Sequence, residues 1–375
     1  MEPDPKEPET DGARRRANVT SGTLIRVIVI SGVATALGIA LGLSINWFPQ
    51  AASTQAGPID TLWDVLLICS VPIFVIVCAV VLTSIVEFRM RPGEEELDGP
   101  PIHGNTKLEV VWTTIPALLL LGLCTYAYLV LHDIEKAPAH GASNAPEIRV
   151  AVTGQQFAWS FAYATDARGR PIAPAKQVKS AQLYLPLNQS VQFDVRSVDV
   201  LHDFWVPDFR MKIDAVPGII THYRVTPTKL GRHPIVCAEL CGLGHAFMRN
   251  TAHVVPRASF PRLLAKMAAA QNLVTGGNGG GGGPNLAAGK AVFTGVGGCG
   301  ACHTLADANT TGAIGPDLDK FLKSRDKAFI HTSIVDPEAY IEKGFPANTM
   351  PPNFASTLSK DQIDAVVNYL YTVTH

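Results

Sequence analysis

The chain has 375 residues, room for two or three domains. Its 31 basic and 32 acidic residues nearly cancel, which excludes the one-signed surface that a nucleic-acid partner calls for. Hydrophobic residues make up 47% of the chain and crowd ahead of about residue 131, so membrane segments lead into water-soluble domains.

Residues 1–23 read as a disordered cytoplasmic terminus carrying Arg14, Arg15 and Arg16. Residues 24–46 are the first apolar stretch, interrupted only by Arg26. It reads as a transmembrane helix or, with Ala51-Ala52-Ser53 beyond it, as a signal peptide. The run is longer than a usual signal core, which favours a retained helix. Residues 59–132 hold two further stretches, Leu62 to Phe88 and Val110 to Leu131. Each reaches the roughly 20 residues that a span needs, so together they predict a helix hairpin. Trp47, Trp63 and Trp112 stand near the ends, where indoles favour the interface. Arg89, Arg91 and Lys107 lie between the second and third stretches. With the N-terminal arginines they put both segments in the cytoplasm and everything after about residue 132 outside it. Cys69, Cys78 and Cys124 fall inside apolar runs and count as small hydrophobes.

Residues 145–256 change to short alternating runs, such as Ile148 to Val152, Ser190 to Val195 and Thr221 to Val225, punctuated by Gly and Pro. That spacing predicts a β-sandwich. One loop of it would carry Cys237, Cys241, His245 and Met248, with Thr251 to Val255 resuming a strand. A neighbouring loop, after the strand-like Ser197 to Leu201, would add His202. Two thiolates with three residues between them can bridge two copper ions, each ion also taking one imidazole. A single Cys2His2 zinc ion held by Cys237, Cys241, His202 and His245 is the alternative, and Met248 counts against it because zinc sites rarely use a thioether. His222, His233 and His253 are read as ordinary strand residues.

Phe260 to Ala270 is an amphipathic stretch, and residues 272–284 are a glycine-rich linker. Residues 285–375 have the size of a small c-type cytochrome, opening with a helix over Leu286 to Val296. Cys299-Gly300-Ala301-Cys302-His303 is the covalent haem attachment pattern, with Cys299 and Cys302 as thioether partners and His303 as proximal ligand. Gly315-Pro316-Asp317-Leu318 follows, and Met350, held between Thr349 and two prolines, offers the sixth ligand, with His331 its rival. Ser359 to Gln362 is a capping box for a last helix whose Ile363, Val366, Val367 and Leu370 should cover the core.

From about Ile59 to Val255 the chain resembles subunit II of cytochrome c oxidase. The motifs that carry this are Cys-x-Glu-x-Cys-Gly-x-x-His-x-x-Met over 237–248, Asp199-Val200-Leu201-His202, and Met211 to Gly218. Residues 285–375 resemble a class I cytochrome c, and the whole architecture resembles subunit II of the caa-type haem–copper oxidases. The resemblance implies a multidomain membrane protein: transmembrane helices, a cupredoxin-like β-sandwich with a dinuclear copper A site, and an all-α cytochrome c domain. It implies that Cys237 and Cys241 bridge two coppers, that His202 and His245 are terminal ligands, that Met248 is a weak axial ligand, and that Glu239 gives its carbonyl to copper. It also implies that the Glu239 carboxylate faces a magnesium site shared with catalytic subunit I, and that Glu109 stands near a proton-channel entrance.

In the aromatic stretch Gly154 to Tyr163 the family's electron-entry tryptophan falls at Phe157, while Trp159 matches. A donor already tethered would explain the missing tryptophan. The implied function is electron entry to a respiratory oxidase. Haem c passes electrons to copper A and on to subunit I, where oxygen is reduced with coupled proton transport, and no catalytic residue lies in this chain. The electron-entry subunit of a copper A nitric oxide reductase is the alternative. Implied partners are subunit I, the other oxidase subunits, the membrane, and a donor such as a cytochrome bc complex or a cytochrome c. The implied location is the bacterial inner membrane, with both metal domains on the extracytoplasmic side.

Overall fold

The structure is a computed structural model and describes residues 21–89, 92, 103–136, 145–275, 286–347, 349–352 and 354–375. Arg14 to Arg16, Arg91, Asn348 and the glycine-rich residues 276–284 lie outside the described residues. The chain forms two compact units. One ends at Trp47 and resumes over Pro58–Asp133; the other joins Phe48–Gly57 to everything from Ile134 onward.

The first unit is built on three helices, α1 (Ser21–Ser44), α2 (Ala56–Glu87) and α3 (Thr106–Glu135). Even the shortest, at 24 residues, rises about 36 Å and exceeds the ~30 Å hydrocarbon core. Their large apolar side chains are exposed on every side, as lipid contact requires. Helix α1 runs antiparallel to α2, with Gly38 and Gly42 at the contact. A Cβ on either would come within 2.9 Å of Val71 or 2.8 Å of Leu67. Small residues four apart let two membrane helices approach backbone to backbone. At the other end of the pair Thr23 Oγ1 donates to Glu87 Oε2 at 3.4 Å.

The predicted hairpin of residues 59–132 is extended at both ends, starting at Ala56 and finishing at Glu135. Of the small residues Ala51 to Ser53, the last two bond within the second unit. Ala52 N–H donates to Asp208 O at 2.8 Å, and Ser53 Oγ donates to Phe209 O at 3.0 Å. Both residues are buried in the second unit.

The β-sandwich has ten strands: β1 (Ile148–Gln155), β2 (Ala158–Tyr163), β3 (Val178–Ser180), β4 (Leu183–Pro186), β5 (Val191–Ser197), β6 (His202–Trp205), β7 (Lys212–Ala215), β8 (Thr221–Val225), β9 (Gly231–Cys237) and β10 (Arg249–Val255). They form two sheets, ordered β3-β2-β1-β5-β8 and β4-β10-β9-β6-β7. Alternate residues of β1 and β5 are buried, the period-two signature of strands with one face on a core. Between the sheets, Phe161, Phe193, Phe204 and Tyr223 pack in tilted ring contacts 5.1–6.2 Å apart. The strand expected over Ser197 to Leu201 does not form. Ser197 ends β5, and its hydroxyl donates to Val200 O at 2.5 Å while Asp199 accepts the Val200 N–H at 2.7 Å. Such local side-chain bonds compete with a sheet ladder and turn the chain. His202 therefore opens strand β6 instead of sitting on a loop.

Helix α4 (Phe260–Thr275) follows the sandwich. The C-terminal domain contains α5 (Leu286–Ala291), β11 (His303–Leu305), β12 (Thr310–Ala313), α6 (Leu318–Phe321), α7 (Lys327–Val335), α8 (Phe354–Thr357) and α9 (Lys360–Thr374). Its helices carry the core, to which β11 and β12 add a short antiparallel ribbon. The first helix is shorter in α form than the apolar pattern suggests. It passes at Val292–Val296 into a π turn broken by Gly295. The capping box at Ser359 and Gln362 forms, and Ile363, Val366, Val367 and Leu370 are all buried. Helices α5 and α9 cross at Gly289, where a Cβ would lie 2.2 Å from Tyr369 Cβ and 2.3 Å from Ala365 O. Nothing larger than glycine fits without parting the helices.

Gly289→Val should therefore cost the C-terminal domain about 3 kcal/mol through overpacking, read as a lowered unfolding midpoint of its core. A second expectation concerns acid. The Tyr369 hydroxyl, 2.6 Å away, and then the Lys290 ammonium, 3.0 Å away, hold the Asp307 carboxyl below the ordinary carboxylate range. A lowered folded value means the stabilisation is complete above the unfolded pKa of about 4 and fades as pH falls through the folded one. Asp307→Asn should flatten the acid limb of the domain's unfolding curve and leave the neutral limb unchanged in slope.

Candidate metal and haem centres

Cys237 ends β9, and the chain turns through a short 3-10 helix (His245–Phe247) before Met248 leads into β10. This brings five side chains together. Cys237 Sγ and Cys241 Sγ are 3.9 Å apart. His202 Nδ1 lies 3.9 Å from Cys237 Sγ, and His245 Nδ1 lies 3.6 Å from Cys241 Sγ. Met248 Sδ is 3.8 Å from Cys241 Sγ, and the Glu239 carbonyl oxygen is 3.2 Å from Cys237 Sγ. The donor atoms of His202, Cys237 and Cys241 fall within 4.8 Å of one another, whereas His245 stands outside that mutual set and meets the cluster from the Cys241 side.

Charge and burial set how this cluster ionises. Burial pushes the Cys237 thiol up, but the His202 imidazole and the backbone at Asp203 and Glu239 outweigh it and bring it down to about 7. Cys241 goes the other way, up to about 12, because burial and then the Cys237 sulfur beside it both disfavour a second negative charge. Left to itself the pair ionises once; a bound cation is what allows both thiolates. Soft sulfur donors, imidazole and a thioether suit copper.

Two supporting contacts escaped the sequence reading. Asp199 Oδ1 lies 2.8 Å from His202 Nε2, which leaves Nδ1 facing the thiols. Asp199 was visible in Asp-Val-Leu-His, three residues before the imidazole, but nothing there showed that the chain folds back. Gln156 Nε2 donates to Cys241 O at 2.6 Å, and its backbone N–H donates to Asp199 Oδ2 at 2.7 Å. No sequence signal points to Gln156. His222, His233 and His253 bond to Asp194, Asp208 and Gln182 and take no part in the cluster.

Phe157 is buried, at 6% exposure, and covers the metal loop. A Cβ on Gly244 would lie 2.4 Å from its ring. Trp159 is fully buried behind it, edge-on to the His202 ring at 5.9 Å. The Glu239 side chain is exposed. Beside the loop Leu240, Leu243 and Phe247 are exposed at 78%, 88% and 55%. Glu109 lies in the first turn of α3, where its Oε1 accepts the Asn105 N–H at 3.2 Å and caps the helix.

In the C-terminal domain Cys299, Cys302 and His303 follow one another through a 3-10 turn into β11. His303 Nδ1 faces the Pro316 carbonyl at 3.0 Å, which leaves Nε2 free. Gly315 allows this approach, since a Cβ there would stand 2.4 Å from the imidazole. Burial keeps His303 neutral by pulling it below its ordinary value. Burial also pushes the thiols up, Cys299 to about 12 and Cys302 to about 11. These groups remain protonated at neutral pH. Met350 packs against the domain core, while His331 is exposed on α7.

Residues 148–255 match the family described as cytochrome C oxidase subunit II, periplasmic domain, and residues 39–130 match its transmembrane domain. Residues 286–374 match cytochrome c. Cytochrome c oxidase subunit 2 of Thermostichus vulcanus is 31% identical over 265 residues, covering 58% of this chain and 77% of that one. The protein of the same name from Alkalihalophilus pseudofirmus is 29% identical over 309 residues, covering 79% of this chain and 81% of its own. Among solved structures, the periplasmic domain of subunit II of cytochrome oxidase from Bradyrhizobium japonicum is 27% identical, with 32% of this chain and 94% of that chain covered and a TM-score of 0.29.

Because Asp199 sets the His202 tautomer, Asp199→Asn should weaken metal retention by about 10- to 100-fold, measured by chelator competition. Asp194→Asn, which removes the same kind of contact from His222, should leave retention unchanged.

Proposed function

The chain belongs to the cytochrome c oxidase subunit 2 family, with a cytochrome c domain at its C-terminal side, and from that premise we propose that it is the electron-entry subunit of a respiratory oxidase. Electrons enter at the C-terminal domain and leave from the sandwich toward catalytic subunit I. Oxygen reduction to water and coupled proton transport take place in that partner. When bound, haem c supplies a one-electron carrier of raised potential, and a dinuclear copper A centre supplies a second that shares its electron over two ions.

In this assignment Cys299 and Cys302 would hold the haem covalently, and His303 and Met350 would ligate its iron. The Pro316 carbonyl takes Nδ1 of His303 and leaves Nε2 for that role. In the sandwich Cys237, Cys241, His202 and His245 would hold the two coppers. Met248 and the Glu239 carbonyl are the weak outer donors. The observation that carries this is the place of His245, which adjoins Cys241 but not the mutual set of His202, Cys237 and Cys241. One tetrahedral zinc would need all four donors around a single point. Phe157 excludes water from the loop, and as a buried residue it offers no docking ring to a soluble donor. A donor domain on the same chain fits that arrangement.

The exposed Leu240, Leu243 and Phe247 beside the cluster suit a buried contact with subunit I. At that contact the exposed Glu239 carboxylate would share a magnesium ion with groups of the partner. Glu109, fixed by its cap at the end of α3, is assigned to the mouth of the partner's proton channel. The chain lies in a bacterial inner membrane with both metal domains on the extracytoplasmic side.

The test is metal and haem analysis of the complex, with electron paramagnetic resonance of the oxidised form. Two coppers sharing one unpaired electron and one covalent haem per chain are expected; one zinc in a copper-replete preparation overturns the assignment. Deleting residues 286–375 should keep the copper signal and abolish most turnover, and undiminished turnover with soluble cytochrome c would remove the haem domain from the route.

A further inference from the structure

A glycine-rich tether alone would leave the haem domain to find the copper domain by diffusion. Three contacts within the second unit point to something more definite. Helix α4 lies between edge strand β3 and the haem domain, and it touches α5, the π turn and α9. Gln271 ties α4 to the strand: its Oε1 accepts the Lys179 N–H at 2.9 Å, and its Nε2 donates to Gln177 O at 2.9 Å. Just beyond β3, Ala181 N–H donates to Thr294 O at 3.2 Å, across the two domains. Ala181 O in turn accepts from Asn250 Nδ2 at 2.8 Å.

The position of Thr294 is a consequence of the π turn. An uninterrupted α-helix over residues 286–296 would bring further helical carbonyl bonds into play there. Instead Gly295 departs to φ −113° and ψ −108°, and a Cβ built there would lie 3.7 Å from the Lys179 carbonyl oxygen. Turns of this kind recur at functional sites. Four residues after Gly295 the chain reaches Cys299. On the other side, Asn250 is two residues past Met248 in the chain. Ala181 therefore bonds to a segment leading to the haem attachment site with its N–H, and to a segment leaving the copper cluster with its C=O.

We propose that β3, α4 and Ala181 form a fixed seat for the haem domain, and that Asn250 is a positioning residue which ties this seat to the copper loop. The seat deepens the electron-entry reading and, for its role in transfer, rests on it. In the seated state the linker only limits escape, and the distance between the two centres is set by the hydrogen-bonded contact and by the packing of α4.

Two measurements on the full chain in its complex test this. The Ala181 amide should be protected from hydrogen exchange, and it should stay protected when the glycine-rich stretch is doubled in length. An amide on a free sheet edge would exchange quickly in both proteins and overturn the seat. Haem-to-copper electron transfer after rapid reduction should keep its rate when the linker is doubled. A tether without a seat predicts a fall of about three-fold, from the −3/2 power of linker length. Asn250→Ala should slow the same transfer several-fold while the copper resonance spectrum and the haem potential stay unchanged. An unchanged rate in that variant would remove Asn250 from the proposal. Exchange protection at Ala181 does not depend on the metal content, so its loss condemns the seat alone. Missing copper would instead condemn the electron-entry reading.

Discussion

Two buried thiols 3.9 Å apart set the terms for the sandwich domain. Buried in a common site, they cannot both ionise without a cation, and each has an imidazole on its outer side. The surrounding structure serves that requirement. Strands β6 and β9 are neighbours, so the His202 end of one meets the Cys237 end of the other. Asp199 takes one nitrogen of His202 and leaves the other for the cluster. Gln156 fixes the Cys241 carbonyl, and Phe157 lies on the glycine backbone of the loop. A cage held by so many groups suits the proposed one-electron transfer, for which small rearrangement is required.

The haem domain follows a different logic. Its attachment motif is short, its thiols are held protonated by burial, and the His303 imidazole is oriented by the Pro316 carbonyl. Glycine makes the aim possible. Gly315 lets the chain pass His303 at a distance no side chain tolerates, and Gly289 lets α5 and α9 cross almost backbone to backbone. Both are packing constraints.

The membrane unit uses the same device for another end. In hydrocarbon there is no hydrophobic gain in pairing two apolar helices, so close packing must provide the attraction. Gly38 and Gly42 provide it for α1 against α2. The residues after α1 belong to the second unit, where Ala52 and Ser53 are stitched to Asp208 and Phe209 by backbone and hydroxyl hydrogen bonds.

Much of this protein was determined locally and could be read from the chain. Helix length follows from an unbroken apolar run, strand faces from alternation, and the last helix's start from the Ser359 and Gln362 pair. Cys237, Cys241, His245 and Met248 lie within twelve residues, and Cys299, Cys302 and His303 within five, so the proposed ligand sets were legible without tertiary information. Other features were decided only by the fold. Ser197 to Leu201 alternates like a strand, yet the side chains of Ser197 and Asp199 bond the backbone and bend it, so His202 comes to open β6. The part played by Gln156, the burial of Phe157 and the meeting of Thr294 with Ala181 join residues far apart in sequence. The physical reason is the range of the forces involved. Propensity and periodicity act over one or two turns, whereas a metal cage and a domain contact close only when distant backbone segments pack together.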